Sequence, residues 1–261
     1  MRTMFNKLYL RGLRFRSPKE ENSDYSWTLP IVRELSKQGD FYFNAPVTFF
    51  VGENGTGKST LLEAIAVAYG FNAEGGSKNF NFSTSATHSQ LHNSLTLIKG
   101  IQRPRDGFFL RAESFYNVAS ELDRLDEIAP IFNHYGGQSL HNQSHGESFM
   151  SLLNNRLSGK GLYLLDEPEA ALSPQRQLAL LVSIDNLVKN ASQLIIATHS
   201  PILLAYPQAE ILVLSQNGLT QTAYRDTEHY RLTKEFLNDP ERMLFYLLKQ
   251  KQKGADQKND I

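Results

Sequence analysis

The sequence contains no cysteine, a single tryptophan and no excess of charge of either sign. The absence of cysteine excludes disulfide bonds and thiolate catalysis, and it is compatible with a reducing cytosol. Lysine plus arginine total 27, as do aspartate plus glutamate. The chain therefore has no overall basic excess that would indicate nucleic-acid binding, although a local basic patch is compatible with this balance. No apolar run approaches the roughly 20 residues that cross a bilayer, and Met1 to Phe5 do not open a signal-peptide core. We expect a cytoplasmic protein without membrane insertion.

A glycine-rich loop is the most informative feature that the chain does contain. Nine residues follow the apolar run 47–51 and fit the pattern G-x-x-x-x-G-K-[ST] without a mismatch. They are Gly52, Glu53, Asn54, Gly55, Thr56, Gly57, Lys58, Ser59 and Thr60. In such a loop backbone N–H groups surround phosphate oxygens, Lys58 reaches the β- and γ-phosphates, and the Ser59 hydroxyl holds Mg²⁺. Because a helical pattern follows until Gly70, the loop is predicted to bind ATP or a similar triphosphate at a helix start.

Two further apolar runs end in polar residues that suit the same chemistry. The run 162–165 precedes Asp166 and Glu167, and its continuous apolar character predicts a central strand covered on both faces. Asp166 is suited to hold Mg²⁺, directly or through water, and Glu167 to polarise a water in line with the γ-phosphate. The run 194–197 leads to His199, which is placed to hydrogen-bond the γ-phosphate or that water. The alternatives are a solvated acidic turn and a histidine that caps the next helix.

A segment between these motifs has the composition of an anion-binding helix start. Residues 143–148 read Gln-Ser-His-Gly-Glu-Ser, and apolar residues at helical spacing follow. The segment resembles a divergent signature loop of ATP-binding-cassette (ABC) ATPases, usually Leu-Ser-Gly-Gly-Gln, with Ser144, Gly146 and Glu147 in the second, fourth and fifth positions. The resemblance implies that Ser144 and Gly146 close over ATP bound by a second subunit, so that two ATP molecules are sandwiched in a head-to-tail homodimer. The alternative is a plain N-cap turn.

The motif variants indicate a branch of this family. The stretches 166–174 and 197–201 resemble those of SMC, SbcC, RecF and OLD-like ATPases, most of all the small stand-alone members. Transporter cassettes usually have threonine, not glutamate, after the proline, and aspartate after the histidine. The interval from Lys58 to Ser144 is too short for the coiled coils of SMC and SbcC proteins, and it contains no sustained heptads.

The resemblance covers about residues 44–207 and implies an α/β P-loop NTPase fold of the ABC ATPase head type. Its expected parts are a mixed or parallel sheet core, an antiparallel β layer and a helical signature lobe. One domain is expected over 1–261, with the β layer and phosphate loop in 1–115, the signature lobe in 116–158, the strands of Asp166 and His199 in 159–225, and a helical tail in 226–261.

Two family features have no obvious counterpart in the sequence. In the family a glutamine after the strand predicted at 107–114 contacts Mg²⁺ and the water, but no glutamine stands there. Glu113 is the nearest polar substitute at the metal site, and Gln102 is a poorer one. In transporter cassettes an aromatic residue of the β layer stacks on the base, and four residues are eligible for this role or for core packing: Phe15, Tyr25, Trp27 and Phe43.

Three further patterns predict which side chains face solvent, the core or a partner. Residues 7–16 alternate and are predicted as an edge strand, whose three arginines offer a footing for DNA or block aggregation: Arg11, Arg14 and Arg16. A helix predicted after Ser173 has an apolar face expected to be buried: Leu178, Leu181, Val182 and Val188. A last helix carries a stripe that suits either the core or a docked protein partner: Met243, Leu244, Leu247 and Leu248.

The predicted activity is Mg²⁺-dependent ATP hydrolysis through ATP-driven dimerisation, with Lys58, Glu167 and His199 as the catalytic residues. What the ATP cycle drives is left open among three classes. The first is action on DNA in repair or defence, as the SbcC and RecF resemblance implies. The second is the ATP-binding subunit of a transporter, and the third is an ATP-gated clamp on an unidentified protein partner.

Overall fold

Strands and helices are interspersed along the chain, as the apolar periodicity predicts. The computed structural model describes residues 8–15, 28–77, 89–112, 115, 120, 145–216 and 218–256. Its strands are β1 (Leu10–Phe15), β2 (Asp40–Tyr42), β3 (Val47–Val51), β4 (Leu95–Lys99), β5 (Asp106–Arg111), β6 (Gly161–Asp166), β7 (Gln193–Ala197), β8 (Glu210–Ser215) and β9 (Gly218–Gln221). Its α-helices are α1 (Pro30–Gln38), α2 (Lys58–Tyr69), α3 (His145–Arg156), α4 (Pro174–Lys189), α5 (Glu228–Asn238) and α6 (Pro240–Asp256).

The larger sheet brings the predicted motifs to one edge. Its strand order among the described residues is β5-β6-β7-β3-β8-β9, and every neighbouring pair is parallel except β8–β9. In register, Ala197 pairs with both Phe50 and Asp166, and Asp166 pairs with Arg111. The carboxyl ends of β3, β5, β6 and β7 therefore lie side by side. Strands β3, β6 and β7 are buried at every position, which confirms the central strands predicted from their apolar runs.

The predicted antiparallel layer is a separate small sheet, and the prediction that its first strand is an edge strand is wrong. Strand β1 lies between β2 and β4 and pairs antiparallel with both. The error arose because the pairing of β1 with β4 joins segments far apart in sequence, and the alternation within β1 does not reveal it. Arg14 is bound to Asp40 through two hydrogen bonds, so its charge is already partnered.

The two sheets are joined by a buried glutamine. Gln193, the first residue of β7, is 1% exposed, and its side chain hydrogen-bonds both backbone groups of Leu10 in β1. Its Oε1 accepts from the Leu10 N–H at 2.9 Å, and its Nε2 donates to the Leu10 carbonyl at 2.7 Å. An amide is the one side-chain group that supplies a donor and an acceptor in this way.

Replacing Gln193 with leucine is expected to destabilise the fold strongly. Both backbone groups of Leu10 would lose their buried hydrogen-bond partners, and each unsatisfied buried group costs about 1–3 kcal/mol, so the free energy of unfolding should fall by roughly 2–6 kcal/mol. Urea titration followed by circular dichroism measures this. Gln102→Leu, at an exposed position, is the control. Equal unfolding midpoints for the two variants would contradict the assigned role.

The buried face was predicted correctly for α3 and wrongly for α4. In α3 the residues expected to face inward are buried: Phe149, Leu152, Leu153 and, just beyond its end, Leu157. In α4 the predicted face is wrong, since Leu178 and Val182 are 56% and 62% exposed while the buried positions are Leu180, Ile184 and Leu187. The sequence offers apolar residues all round this helix, so periodicity alone selected the wrong stripe.

The described chain divides into two compact units, 1–222 and 223–261. The second unit contains α5 and α6, and no described residue of α5 is buried. The stripe predicted on α6, for either the core or a docked partner, is exposed at Leu244, Leu247 and Leu248, at 43%, 56% and 59%, so of the two alternatives the core is wrong for these residues. The predicted domain boundaries stay a prediction. No helix in the described ranges has the length and apolar character needed to cross a membrane.

Candidate nucleotide-binding site

The glycine-rich loop joins β3 to α2 at the sheet edge where the other motifs converge. Gly57 is the N-cap of α2 and adopts a left-handed conformation with φ of 97°, and no side chain caps the helix there. A Cβ on Gly57 would lie 2.9 Å from Ile31 Cγ2 in α1, so a side chain at this position would meet both strain and a clash. The first N–H groups of α2 are thus left for an anion, which is the property that a phosphate site needs.

Lys58 lies inside this loop. It is 4% exposed, and its Nζ donates to the carbonyls of Gly52 at 2.8 Å and Glu53 at 3.0 Å. Burial lowers the pKa of Lys58, and the charges of Glu167, Asp166 and Glu169 oppose that shift. The ammonium is therefore held by carbonyl groups in a loop that also faces the acidic ends of the sheet. The residues present fit a bound triphosphate, which would supply anionic oxygens as further partners for this ammonium.

The two predicted magnesium residues are in direct contact. The Ser59 hydroxyl, on the first turn of α2, donates to Asp166 Oδ1 at 2.9 Å, across from the end of β6. Both are hard oxygen donors, and Mg²⁺ is ordinarily bound by one or two carboxylates together with substrate phosphates and water. Among the described residues no cluster of three or more His, Cys, Asp or Glu side chains could form an all-protein cage. The donor set fits Mg²⁺, which would neutralise phosphate charge there.

Glu167 follows Asp166 in a strained backbone conformation. Its φ and ψ are 49° and 51°, a left-handed conformation that costs a residue other than glycine of order 1–3 kcal/mol. The turn is held in place because the Glu167 N–H donates to the carbonyl of Ala197 in β7 at 2.9 Å. This conformation leaves the Glu167 side chain 41% exposed and sets its Oε1 3.6 Å from His199 Nε2. The predicted base and the predicted phosphate sensor therefore face each other.

Glu169 and Ser200 hold the loop that carries His199. In the sequence these two residues only indicated a branch of the family. Glu169 Oε1 accepts a 2.5 Å hydrogen bond from the His199 N–H, and burial raises the pKa of Glu169. The Ser200 hydroxyl donates to Gln177 Oε1 of α4 at 2.6 Å and accepts from the N–H groups of the next turn. These contacts give a structural role to Glu169 and Ser200, the two residues that differ from those usual in transporter cassettes.

The signature segment is described only in part. Ser144 and Glu113 lie outside the described residues, so their assigned contacts stay predictions. Gly146, in the first turn of α3, is buried against its own chain, where a Cβ would lie 2.2 Å from Arg176 Nη1 and 3.0 Å from the Ala171 carbonyl. Of the residues considered for base stacking, Phe15 and Phe43 are buried in the core, while Tyr25 and Trp27 are not described.

Sequence reasoning missed two charged residues beside Asp166. Arg111, the last residue of β5, lies between Glu63 of α2 and Asp166. The family resemblance pointed instead to Glu113, which stands after this strand in sequence. The one usable signal was the spacing of Glu63, four residues after Ser59, which places both on one face of α2.

Comparison with known proteins settles the family. A model described as an AAA domain matches residues 32–259, which is most of the chain. The chain belongs to the AAA domain family. A relative of this AAA domain protein is ABC transporter G family member STR2 of Medicago truncatula, 24% identical over 242 residues. The match covers 85% of this chain and 33% of STR2, so the chain spans about a third of the length of that relative.

Solved structures with low identity also match the AAA domain chain. One is cbiO1 of Clostridium perfringens, part of the ABC transporter complex cbiONQ, with 16% identity, a TM-score of 0.48, and coverage of 92% of this chain and 99% of cbiO1. Another is the SMC head domain of Thermotoga maritima, with 15% identity, a TM-score of 0.41, and coverage of 83% and 99%. The AAA domain match confirms the predicted P-loop ATPase family, and the mixed sheet with its helices confirms the predicted α/β fold class.

Proposed function

We propose that this protein binds ATP with Mg²⁺, hydrolyses it, and dimerises around the bound nucleotide. The observation that carries the proposal is the meeting of an uncapped helix start, a buried lysine and the Ser59–Asp166 pair at one sheet edge. Each of these has a partner chemistry in MgATP: the helix start and Lys58 for phosphate oxygens, and Ser59 with Asp166 for the metal.

Hydrolysis follows from the positions of the remaining side chains. The Glu167 side chain is exposed enough to accept a proton from an attacking water. Glu167 also directly follows Asp166, the proposed metal residue. His199, 3.6 Å from Glu167, orients that water or the terminal phosphate. Lys58 and the N–H groups of α2 stabilise charge on the phosphate oxygens, and such fixed donors ordinarily supply the largest share of catalysis in phosphoryl transfer.

Dimerisation would complete the site from a second copy. Gly146 lies in the first turn of α3 and Ser144 directly precedes that helix in sequence, and a helix N-terminus favours an anion. The first slot of the signature motif is occupied by glutamine and the third by histidine. Because Gly146 is buried against Arg176 and Ala171 of its own chain, the contact with a partner's ATP would rest mainly on Ser144 and the helix start. ATP-dependent dimerisation is the part of the proposal with the most direct solution test, by light scattering with and without nucleotide.

For the process that ATP drives, we favour action on DNA. The support is the resemblance of 166–174 and 197–201 to SMC, SbcC and RecF-like ATPases, together with the contacts that the two variant residues make. Glu169 and Ser200 replace the transporter-type threonine and aspartate, and both fix the His199 loop. The transporter subunit is the second candidate, since the curated relative STR2 is named an ABC transporter member.

ATPase measurements with and without double-stranded DNA separate these candidates. We expect DNA to raise the turnover rate, and we expect the increase to shrink as salt rises from 50 to 200 mM, roughly 0.9 log units of DNA affinity per log unit of salt for each phosphate contact. The Lys58→Ala variant, with DNA, controls for contaminating ATPases. A turnover rate that DNA leaves unchanged at every salt concentration, with an integral membrane protein co-purifying, would favour the transporter role instead.

A further inference from the structure

A charged network lies directly behind the candidate magnesium residues. Arg111 Nη1 is 2.8 Å from Glu63 Oε2, and Arg111 Nε is 3.6 Å from Asp166 Oδ2. Arg111 ends β5 and is the register partner of Asp166, which ends β6. One guanidinium therefore links a carboxylate on the phosphate-loop helix α2 to a carboxylate on the sheet.

The network is withdrawn from solvent. The side chains of Arg111, Glu63 and Asp166 are 18%, 11% and 6% exposed. Charges in such places are retained at a cost unless each is opposed by a partner of good geometry. Here the fork of the guanidinium faces two carboxylates at once, which the single ammonium of a lysine cannot do in the same way.

The two oxygens of Asp166 are divided between different partners. Oδ1 accepts the hydrogen bond from the Ser59 hydroxyl at 2.9 Å, while Oδ2 faces Arg111. One oxygen of the carboxylate is thus held by a hydrogen bond, and the other faces the charge of the guanidinium. Because Glu63 lies one helical turn after Ser59, α2 reaches Asp166 twice, directly through Ser59 and indirectly through Glu63 and Arg111.

We propose that Arg111 and Glu63 are positioning residues for the magnesium site, with Arg111 aiming the Asp166 carboxylate and Glu63 holding Arg111. The inference rests on the proposed function, since it requires that Ser59 and Asp166 bind Mg²⁺ together with ATP. Residues that orient a metal-binding carboxylate from behind change metal affinity by about 10–100-fold when removed. The pair also connects β5 to the nucleotide site, and β5 is the strand after which the family has a glutamine.

The test is nucleotide affinity measured with and without Mg²⁺. A fluorescent ATP analogue is titrated into the full chain in EDTA and then at increasing Mg²⁺ concentrations. For Arg111→Gln we expect unchanged nucleotide affinity in EDTA, because the phosphate loop is intact. The Mg²⁺ concentration that gives half of the metal-dependent increase in nucleotide affinity should rise about 10–100-fold. Glu63→Gln should act in the same direction, and adding it to Arg111→Gln should change little more, because both act through Asp166.

The chain offers a matched control in Arg156. Its Nη1 is 2.7 Å from Asp106, at the opposite end of β5, and the two side chains are 19% and 11% exposed, close to the values for Arg111 and Glu63. Arg156→Gln should lose similar stability in thermal melts while keeping the wild-type Mg²⁺ dependence. If it shifted the Mg²⁺ dependence equally, the effect would belong to general loosening and the inference would fail.

The remaining outcomes separate this inference from the proposed function. Wild-type binding that Mg²⁺ does not improve would overturn the proposed function and, with it, the inference. Wild-type binding that Mg²⁺ improves, together with an unchanged or tighter Mg²⁺ response in Arg111→Gln, would overturn the inference alone. A tighter response would show that Arg111 acts only as a cation competing with Mg²⁺ for Asp166.

Discussion

The Glu167→Gln variant is expected to bind ATP as well as the wild type does and to hydrolyse it about 10²–10⁴-fold more slowly, the range of a lost general base. Glutamine keeps the length and shape of the side chain, so contacts in the ground state survive. It cannot accept the proton of the attacking water, so the loss falls on turnover. The structure places this carboxylate where such a role requires, 41% exposed and 3.6 Å from His199.

A trapped ATP state should then accumulate. If hydrolysis opens the dimer, the variant with MgATP should elute and scatter light as a dimer, while wild type under the same conditions returns to monomer as ATP is consumed. Quench-flow measurement of one turnover, together with light scattering, gives both quantities. The control is Asp185→Asn, because Asp185 lies in α4 and its contacts with Lys189 at 2.6 Å and Tyr206 at 3.3 Å involve no residue of the site. Undiminished turnover would remove Glu167 as the base.

The backbone around Glu167 explains why its neighbours matter to this prediction. The residue holds a left-handed conformation, and a hydrogen bond to the Ala197 carbonyl keeps it there. Strain of this kind persists where the surrounding structure over-determines it, and it is commonly found at functional sites. Here Glu167 Oε1 lies 3.6 Å from His199 Nε2 while Asp166 contacts Ser59, so the two adjacent acidic residues face different parts of the site.

The parts of the fold that periodicity defines were predictable. Strands β3, β6 and β7 are buried at every position, and their sequences are mostly apolar for that reason. The residues that follow their carboxyl ends include Lys58, Asp166 and His199, which therefore lie near one another. The start of α4 was equally readable, because Ser173 accepts the N-cap hydrogen bond from Arg176 and proline follows it.

The errors have a common physical origin, because each depended on a neighbour distant in sequence. Whether β1 is an edge strand depends on β4, some 80 residues away, whose short run gives a weak signal of its own. The buried face of α4 is chosen by the sheet beneath it, not by the count of apolar residues on the helix. Arg111 shows its role only when the register of β5 on β6 sets it beside Asp166.

Lys58→Met is expected to abolish measurable ATP binding while leaving the protein folded. The ammonium is the one cation that the loop itself provides, and hydrogen bonds to charged groups contribute about 1.5–3 kcal/mol each, so losing two contacts to phosphate should weaken binding by at least about 10²-fold. Methionine fills the same space at a position that is 4% exposed, so packing is retained. Isothermal titration with ATP in EDTA and in Mg²⁺ measures the loss directly.

The stability of this variant tests whether the loop is built for its ligand at the expense of the fold. Burial lowers the pKa of Lys58, so the folded state binds its proton less tightly than the unfolded chain does. By linkage, this charge destabilises the fold at neutral pH, and the penalty disappears as pH rises past the unfolded pKa of lysine. The Lys58→Met variant should therefore melt no lower than wild type at pH 7, and any advantage should vanish above about pH 10.4. A clear drop in melting temperature at pH 7 would show instead that the bonds from Lys58 to the Gly52 and Glu53 carbonyls outweigh the cost of burying its charge.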